Sequence, residues 1–197
     1  SFLDLCDLKI KSHFILYIFI NCLPRFLFHN IIIAMRILGI DPGIGITGYS
    51  IIEAQDDCYE LVSCGSIQTD KSLSHQKRLA EIYRDIKQIC ATFNPQSAAI
   101  EQLFFFKNQK TIIPVAQARG VILAALEESG VEIGEYTPIV VKQVLTGHGR
   151  ASKDEVKSMV ERYVELNPST KLDDTIDSIA IGICHARNLE IKNRERA

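Results

Sequence analysis

Three successive segments of strand character, joined only by tight turns, most constrain how this chain can fold. They cover residues 36–40, 47–53 and 59–68; Asp41-Pro42-Gly43 follows the first, and Asp56-Asp57 separates the other two. Because a turn of a few residues can join neighbouring strands only in opposite directions, the segments predict an antiparallel meander.

Downstream of the meander, helical and strand patterns alternate. We predict helices over residues 74–93, 111–129, 138–145, 152–166 and 173–188, with strands over residues 97–102 and 132–137. The first helix has apolar residues on one face, Ser74 as its predicted cap, and Asn94-Pro95 at its end. This order predicts an α/β fold with a mixed five-stranded sheet and helices on both faces.

Composition excludes several classes of protein. With 47% hydrophobic and 23% charged residues, the chain is globular rather than disordered. Its net charge of -2 does not indicate a generally basic nucleic-acid binder, so an anionic partner would need a local basic patch. Six cysteines without a C-x-x-C motif indicate reduced thiols and a cytoplasmic protein.

The first 34 residues differ from the rest. Their uninterrupted apolar run, residues 14–20, is too short to span a membrane, and no convincing signal-peptide cleavage site follows it. We therefore interpret residues 1–34 as an upstream extension before a natural start at Met35, with a signal or anchor and a genuine appendage as alternatives. We assign residues 35–190 to the folded domain and 191–197 to a polar tail, and we expect no membrane association.

Four carboxylates have neighbours that are unusual for solvated charges. Asp41 and Glu101 end apolar strands, and Asp174 and Asp177 are spaced to share one face of a helix. A turn, an exposed strand end or the helix dipole would explain most of them singly. These explanations do not suit Asp177, because it begins a small, apolar run that should be buried.

Together, the four acids predict a metal site. Converging carboxylates repel one another unless a cation neutralises them, and such oxygen-rich sites suit Mg²⁺ or Mn²⁺. Two such ions can activate a water and stabilise the leaving oxygen of a phosphodiester. The sequence has neither a zinc-ligand spacing nor a phosphate-binding G-x-x-x-x-G-K-[ST] motif.

Several motifs in order resemble the RuvC family of Holliday-junction resolvases, from Met35 to about Arg187. The motifs are Ile37-Leu38-Gly39-Ile40-Asp41-Pro42-Gly43 with Thr47-Gly48-Tyr49; Ala99-Ile100-Glu101-Gln102 with Phe104, Lys107 and Asn108; Gln117-Ala118-Arg119-Gly120; Val141-Lys142-Gln143; Gly147-x-Gly149-x-Ala151-x-Lys153; and Asp174-x-x-Asp177 with its apolar run.

The resemblance implies an RNase H-like fold and a homodimer with two active sites. Such a dimer, acting in DNA recombination and repair, would nick two strands of like polarity at a four-way junction and leave 5′-phosphate and 3′-hydroxyl ends. It would work with the RuvA–RuvB branch-migration complex. By position, Asp41, Glu101, Asp174 and Asp177 would be the catalytic, metal-binding residues, with two Mg²⁺ per site and Mn²⁺ as a substitute.

Two further residues, Asp173 and His185, each have more than one possible role. We align Asp174 rather than Asp173 with the family pair, because the spacing before the apolar run fits it, and treat Asp173 as a helix cap. His185 either approaches the site or is a packed or surface histidine, and we favour the second interpretation.

The same sequence contains candidate DNA contacts. An exposed ring among Phe104, Phe105 and Phe106 would stack on a splayed base, and family position favours Phe104; loop packing or a dimer contact is the alternative. A basic cluster supplies the local patch that the net charge lacks. The predicted DNA-binding residues are Phe104, Lys107, Lys142, Arg150, Lys153 and Lys157, with His148 beside them.

Other interpretations remain open at this stage. The small residues Ala116, Gly120 and Ala124 would pack either on the sheet or on a partner helix. An RNA-processing nuclease of similar fold and a non-catalytic junction-binding module are alternative functions. An actin-like ATPase is excluded, because that fold needs two lobes.

Overall fold

The three predicted strands form an antiparallel meander in the computed structural model, which describes residues 34–103, 109–166 and 173–196. They are β1 (Met35–Asp41), β2 (Ile46–Gln55) and β3 (Cys58–Gln68). Strand β2 pairs with both neighbours in antiparallel register. Asp56 and Asp57 form the tight turn between β2 and β3, both with positive φ (50° and 62°), which is typical of a two-residue hairpin.

The rest of the chain alternates as predicted. The elements are α1 (His75–Phe93), β4 (Ser97–Glu101), α2 (Gln109–Glu128), β5 (Glu132–Tyr136), α3 (Pro138–Thr146), α4 (Lys153–Tyr163) and α5 (Asp173–Arg196). Strand β4 lies parallel to β1, and β5 lies parallel to β4. The strand order β3-β2-β1-β4-β5 confirms the mixed five-stranded sheet.

Helices cover both faces of this sheet. On one face, the buried Leu38, Ile40 and Ile100 pack with residues of α1 and α2 such as Ile86 and Ile122. A second cluster, on the other face, joins β2 and β4 to α3, α4 and α5. The sheet is therefore the central layer between two hydrophobic cores, as the alternation of helices and strands predicts.

Three predicted helix ends need correction. Helix α4 ends at Tyr163 rather than residue 166, because its C-cap residue Val164 is extended (φ −138°). Helix α5 continues to Arg196, so residues 191–196, predicted as a polar tail, form its last turns. Ser74 occupies the cap position of α1, but its side chain makes no capping hydrogen bond.

Contacts with the β2–β3 hairpin explain the length of α5. The Tyr59 hydroxyl donates a hydrogen bond to Glu190, and Arg194 forms an ion pair with Asp57. The exposed end of the helix is thereby tied to the hairpin turn. None of the helices in the described ranges is long and apolar enough to cross a membrane.

Helix α5 approaches the sheet closely where glycines replace side chains. A Cβ on Gly39 would lie 2.2 Å from the Ser178 carbonyl oxygen, and one on Gly48 would lie 2.0 Å from the Asp174 carbonyl oxygen. The Ser50 hydroxyl donates to the Ser178 carbonyl at 3.0 Å. These contacts place the start of α5 at the end of β1.

We predict that Gly48→Ala lowers the free energy of unfolding by about 1–3 kcal/mol, because its Cβ would overlap the helix backbone. Urea denaturation measures the change. The control is Gly45→Ala, which should stay near parental stability because, among the described residues, its Cβ would meet only the flexible end of Arg78, at 3.6 Å. Equal stability of the two variants would show that α5 does not need this close contact.

Candidate active site

Asp41 and Glu101 lie side by side at one edge of the sheet. In β1, Leu38 and Ile40 face α1 and α2, so the alternation of side chains turns Asp41 towards α5. In β4 the buried Ile100 has the same orientation, so Glu101 also faces α5. Since Ile40 pairs with Ile100 in parallel register, the two acids that follow them are neighbours.

Helix α5 brings two further carboxylates to this edge. The Asp174 carbonyl packs on Gly48, which is the cross-strand partner of Asp41. One turn later, Asp177 directly precedes Ser178, which contacts Gly39. The structure therefore places the four carboxylates singled out in the sequence at the same edge of the sheet, where Glu101, Asp174 and Asp177 act electrostatically on Asp41.

Burial and mutual repulsion shape the electrostatics of this cluster. Burial, with the carboxylates of Glu101, Asp177 and Asp174, raises the pKa of Asp41 to about 8. Burial and the charge of Asp177 raise the pKa of Glu101 to about 7. Burial also raises the pKa of Asp177, although Lys153 opposes the shift. At neutral pH the cluster therefore retains protons unless a cation neutralises it.

Lys153 supplies one cation at this edge. Its Nζ lies 3.5 Å from Oδ2 of Asp177 and 3.9 Å from Oδ2 of Asp173. Its side chain is 71% exposed, so the ammonium lies at the rim of the cluster rather than within it. Within the described ranges, no three His, Cys, Asp or Glu side chains are grouped closely enough to hold a metal ion.

Asp173 differs from the other acids of α5. Its side chain is 84% exposed, and it forms an ion pair with Lys153. It is the first residue of α5 rather than a cap before the helix, so that prediction is wrong. Asp174, by contrast, is half-buried.

His185 lies away from the carboxylates and is packed, as the favoured interpretation predicts. Its Nε2 is 2.6 Å from the Ser97 hydroxyl, at the start of β4, whereas Glu101 ends that strand. The Tyr136 hydroxyl lies 2.8 Å from Nδ1. Burial lowers the pKa of His185 to about 4, so the imidazole is neutral and can accept from Tyr136 while donating to Ser97.

The predicted basic residues occupy the elements that follow β5. Lys142, on α3, is half-buried, and its charge acts on Glu101 to lower that pKa. Arg150 and Lys157 are exposed, on the loop after α3 and on α4. Phe104 and Lys107, predicted to contact DNA, lie outside the described residues, as do Phe105 and Phe106.

The small-residue stripe on α2 does not pack on the sheet. Ala116, Gly120 and Ala124 are exposed, and a Cβ on Gly120 would meet no atom of the described residues within 4 Å. Ala118 and Ile122 make the core contacts of this helix. Of the two predicted roles, packing on the sheet is wrong.

Sequence reasoning missed the side chains that hold the backbone around the acids. Arg119 donates from Nε to the Glu101 carbonyl at 3.0 Å and pairs with Glu135. In the loop after Asp41, Arg78 donates to the Ile44 carbonyl at 3.0 Å. An arginine on a helix has no local pattern that reveals a distant carbonyl partner, although Arg119 does fall within the Gln117-Ala118-Arg119-Gly120 motif.

We predict that Asp41→Asn stabilises the metal-free protein more strongly as the pH rises. The folded-state pKa of Asp41, about 8, exceeds its ordinary 3.8, so the folded protein holds an extra proton between these values. The free energy of unfolding of the parent protein therefore decreases as the pH rises from 3.8 to about 8, because the unfolded state releases this proton at a lower pH than the folded state does. The difference between variant and parent should reach the order of a few kcal/mol at pH 8.

Urea denaturation with a chelator, at several pH values, measures this difference. Asp173→Asn is the control, since the exposed Asp173 side chain should give a difference that does not grow with pH. A constant difference for Asp41→Asn from pH 4 to pH 8 would contradict a half-buried cluster of mutually repelling carboxylates.

Comparison with known proteins assigns the family. A family model described as crossover junction endodeoxyribonuclease RuvC matches residues 37–185, which include all four carboxylates. A relative of that name from Halothermothrix orenii is 45% identical over 160 residues, covering 81% of this chain and 97% of the relative. Another, from Clostridioides difficile, is 42% identical over 158 residues, covering 80% and 94%.

Comparison with solved structures agrees with this family assignment. RuvC of T. thermophilus, in complex with Holliday junction substrate, superimposes with a TM-score of 0.76 at 30% identity and covers 80% of this chain and 96% of that one. The yeast mitochondrial Holliday junction resolvase Ydc2, at 16% identity and a TM-score of 0.60, covers 81% and 83% and shares the fold. The sheet and its two helical layers form the RNase H-like fold implied by the motifs. The chain belongs to the RuvC family of crossover junction endodeoxyribonucleases.

Proposed function

We propose that this protein resolves Holliday junctions by metal-dependent nicking of two strands of like polarity, leaving 5′-phosphate and 3′-hydroxyl ends. The observation that carries the proposal is the half-buried cluster of Asp41, Glu101, Asp174 and Asp177 at one edge of the sheet. Partial burial of mutually repelling acids lowers the stability of the fold, and binding of a cation by their oxygens is a function that would account for the arrangement.

The donor set fits divalent magnesium. Asp41, Glu101, Asp174 and Asp177 would hold two Mg²⁺, with Mn²⁺ as a substitute, because all four offer hard carboxylate oxygens. When bound, such ions activate a water and stabilise the leaving oxygen of a phosphodiester. The raised pKa values of Asp41 and Glu101 imply that binding of cations releases protons, so cation affinity should increase with pH.

Cationic groups of the chain flank the acids and would orient the phosphodiester. Lys142 already acts electrostatically on Glu101, and Lys153 lies 3.5 Å from Asp177. Once the carboxylates are neutralised, the exposed Lys153 ammonium is free to pair with a DNA phosphate. The start of α5 adds the partial positive charge of a helix N-terminus at the same edge.

Further DNA contacts would extend from this edge. We propose that Arg150 and Lys157, exposed beside Lys153, neutralise phosphates of the junction arms. Phe104 and Lys107 follow Glu101 closely in the chain, and we propose that the Phe104 ring stacks on a splayed base.

Symmetric cleavage requires two active sites related by a two-fold axis, and we propose a homodimer. The exposed stripe of Ala116, Gly120 and Ala124 supports a partner contact through α2, because small residues allow two helices to approach closely. Cooperation with the RuvA–RuvB complex and a cytoplasmic location belong to the same proposal.

The central test replaces each cluster acid by its amide. Asp41→Asn, Glu101→Gln, Asp174→Asn and Asp177→Asn should each cut a synthetic four-way junction about a thousandfold more slowly, because metal stabilisation of the transition state is worth several kcal/mol. Junction binding should persist, since basic residues supply the affinity. Single-turnover cleavage with Mg²⁺ and gel-shift binding measure the two quantities.

The exposed Asp173 provides the matched control, and Asp173→Asn should keep cleavage within about threefold of the parent, as surface substitutions cost little. Full activity of Asp177→Asn would remove that residue from the ligand set. Linear duplex and structured RNA are run as competing substrates, because preferential cutting of either would favour a different nuclease function.

A second test separates stacking from charge. Phe104→Ala should slow junction cleavage and leave the salt dependence of binding nearly unchanged, because stacking releases no condensed counterions. Lys142→Ala and Lys153→Ala should weaken binding at moderate salt, with each lost phosphate contact reducing the slope of log K against log salt by about one.

Salt titration of junction affinity with single-turnover cleavage distinguishes these outcomes. Phe104→Tyr should retain most activity, since it preserves the aromatic face, whereas Phe104→Leu should not. If Phe104→Leu cleaves as the parent does, the ring serves packing alone.

A further inference from the structure

Arg119 reaches the end of β4 from the face opposite the carboxylate cluster. Its Nε donates to the Glu101 carbonyl at 3.0 Å, and its guanidinium pairs with Glu135 on β5. Glu135 is the register partner of Ile100, whose side chain faces α1 and α2. The guanidinium therefore lies behind the sheet as seen from Asp41 and from the carboxylate of Glu101.

The peptide that follows Glu101 is held from two sides. The Gln102 N–H donates to the Tyr136 carbonyl at 2.8 Å, while Arg119 binds the carbonyl oxygen of the same peptide. The pairing of β4 with β1 ends at Ile100, and Glu101 therefore has no paired residue on the β1 side. The hydrogen bond from Arg119 to the Glu101 carbonyl replaces the missing interstrand hydrogen bond and orients the residue that carries the carboxylate.

The contact acts through geometry rather than through charge. Arg119 is paired with Glu135, and its side chain is only 17% exposed. Charged groups that act on the Glu101 carboxylate include Asp177, Lys153 and Lys142, and Asp41 interacts with it as well; all four lie on the cluster side. Loss of Arg119 should therefore loosen the Glu101 backbone without changing the charge around its carboxylate.

We infer that Arg119 is a positioning residue that aligns Glu101 for cation binding through the Glu101 main-chain carbonyl. The inference rests on the proposed function, because it requires Glu101 to hold a metal. A residue that supports a ligand from behind typically contributes 10–100-fold to metal affinity.

Arg119→Met removes the contact, and Arg36 offers a matched control. Arg36 also donates to a backbone carbonyl, that of Phe93 at 2.8 Å, and pairs with a carboxylate, Glu53 at 3.1 Å, but it lies at the other end of β1. Arg36→Met should therefore lose stability without any change at the cluster.

Two readouts are needed: the Mg²⁺ dependence of junction cleavage, and Mn²⁺ binding by calorimetry in the absence of DNA. Arg119→Met should require about tenfold more Mg²⁺ for half-maximal cleavage and bind Mn²⁺ about tenfold more weakly. Its junction affinity without metal should match the parent. Arg119→Lys should recover part of the loss, because an ammonium can reach one acceptor but cannot reproduce the forked contact.

Metal requirements that are equal in Arg119→Met and Arg36→Met would overturn the inference. If Arg119→Met does not fold, Arg119→Lys decides, and an unchanged Mg²⁺ and Mn²⁺ requirement in that variant overturns it. Glu101→Gln is measured in parallel. An inactive Glu101→Gln with a normal Arg119→Met would reject only the positioning role, whereas an active Glu101→Gln would reject the proposed ligand set itself.

Discussion

The direct packing of α5 on the meander is the contact on which the site depends. Gly39 and Gly48 leave room for helix backbone at distances that a Cβ would obstruct, and the buried Ser50 hydroxyl binds the Ser178 carbonyl. Because the helix begins at the end of β1, its first turns bring Asp174 and Asp177 to Asp41. A bulkier strand residue would separate the acids by displacing the whole helix.

This arrangement opposes local electrostatics. The metal-free cluster raises the pKa of Asp41 to about 8, which means that the fold holds the acids together against desolvation and repulsion. The two hydrophobic clusters on either side of the sheet supply the stability that makes this possible. Unfavourable local electrostatics that a stable scaffold maintains are typical of functional sites.

Local patterns predicted much of the fold and the placement of the acids. Alternation along β1 and the spacing of Asp174 and Asp177 are properties of a few consecutive residues, so they could be recognised directly. Contacts between residues far apart in the sequence could not be predicted in this way. Examples are the hydrogen bond from Arg119 to the Glu101 carbonyl and the contacts between α5 and the β2–β3 hairpin. His185 was ambiguous for the same reason, because its partners Ser97 and Tyr136 come from two other strands.

Positive charges of the chain lie beside the edge of the sheet that carries the carboxylates, although the protein as a whole is not basic. A protein of net charge -2 gains no general attraction to DNA, so its cations must act locally. Lys142 and Lys153 lie on two helices after β5, and both act electrostatically on the cluster acids. The same lysines that moderate repulsion among the carboxylates therefore place positive charge where a phosphate would enter. In the proposed mechanism, DNA binding and metal loading would be coupled, because each cation taken up by the acids would free lysine charge for the DNA.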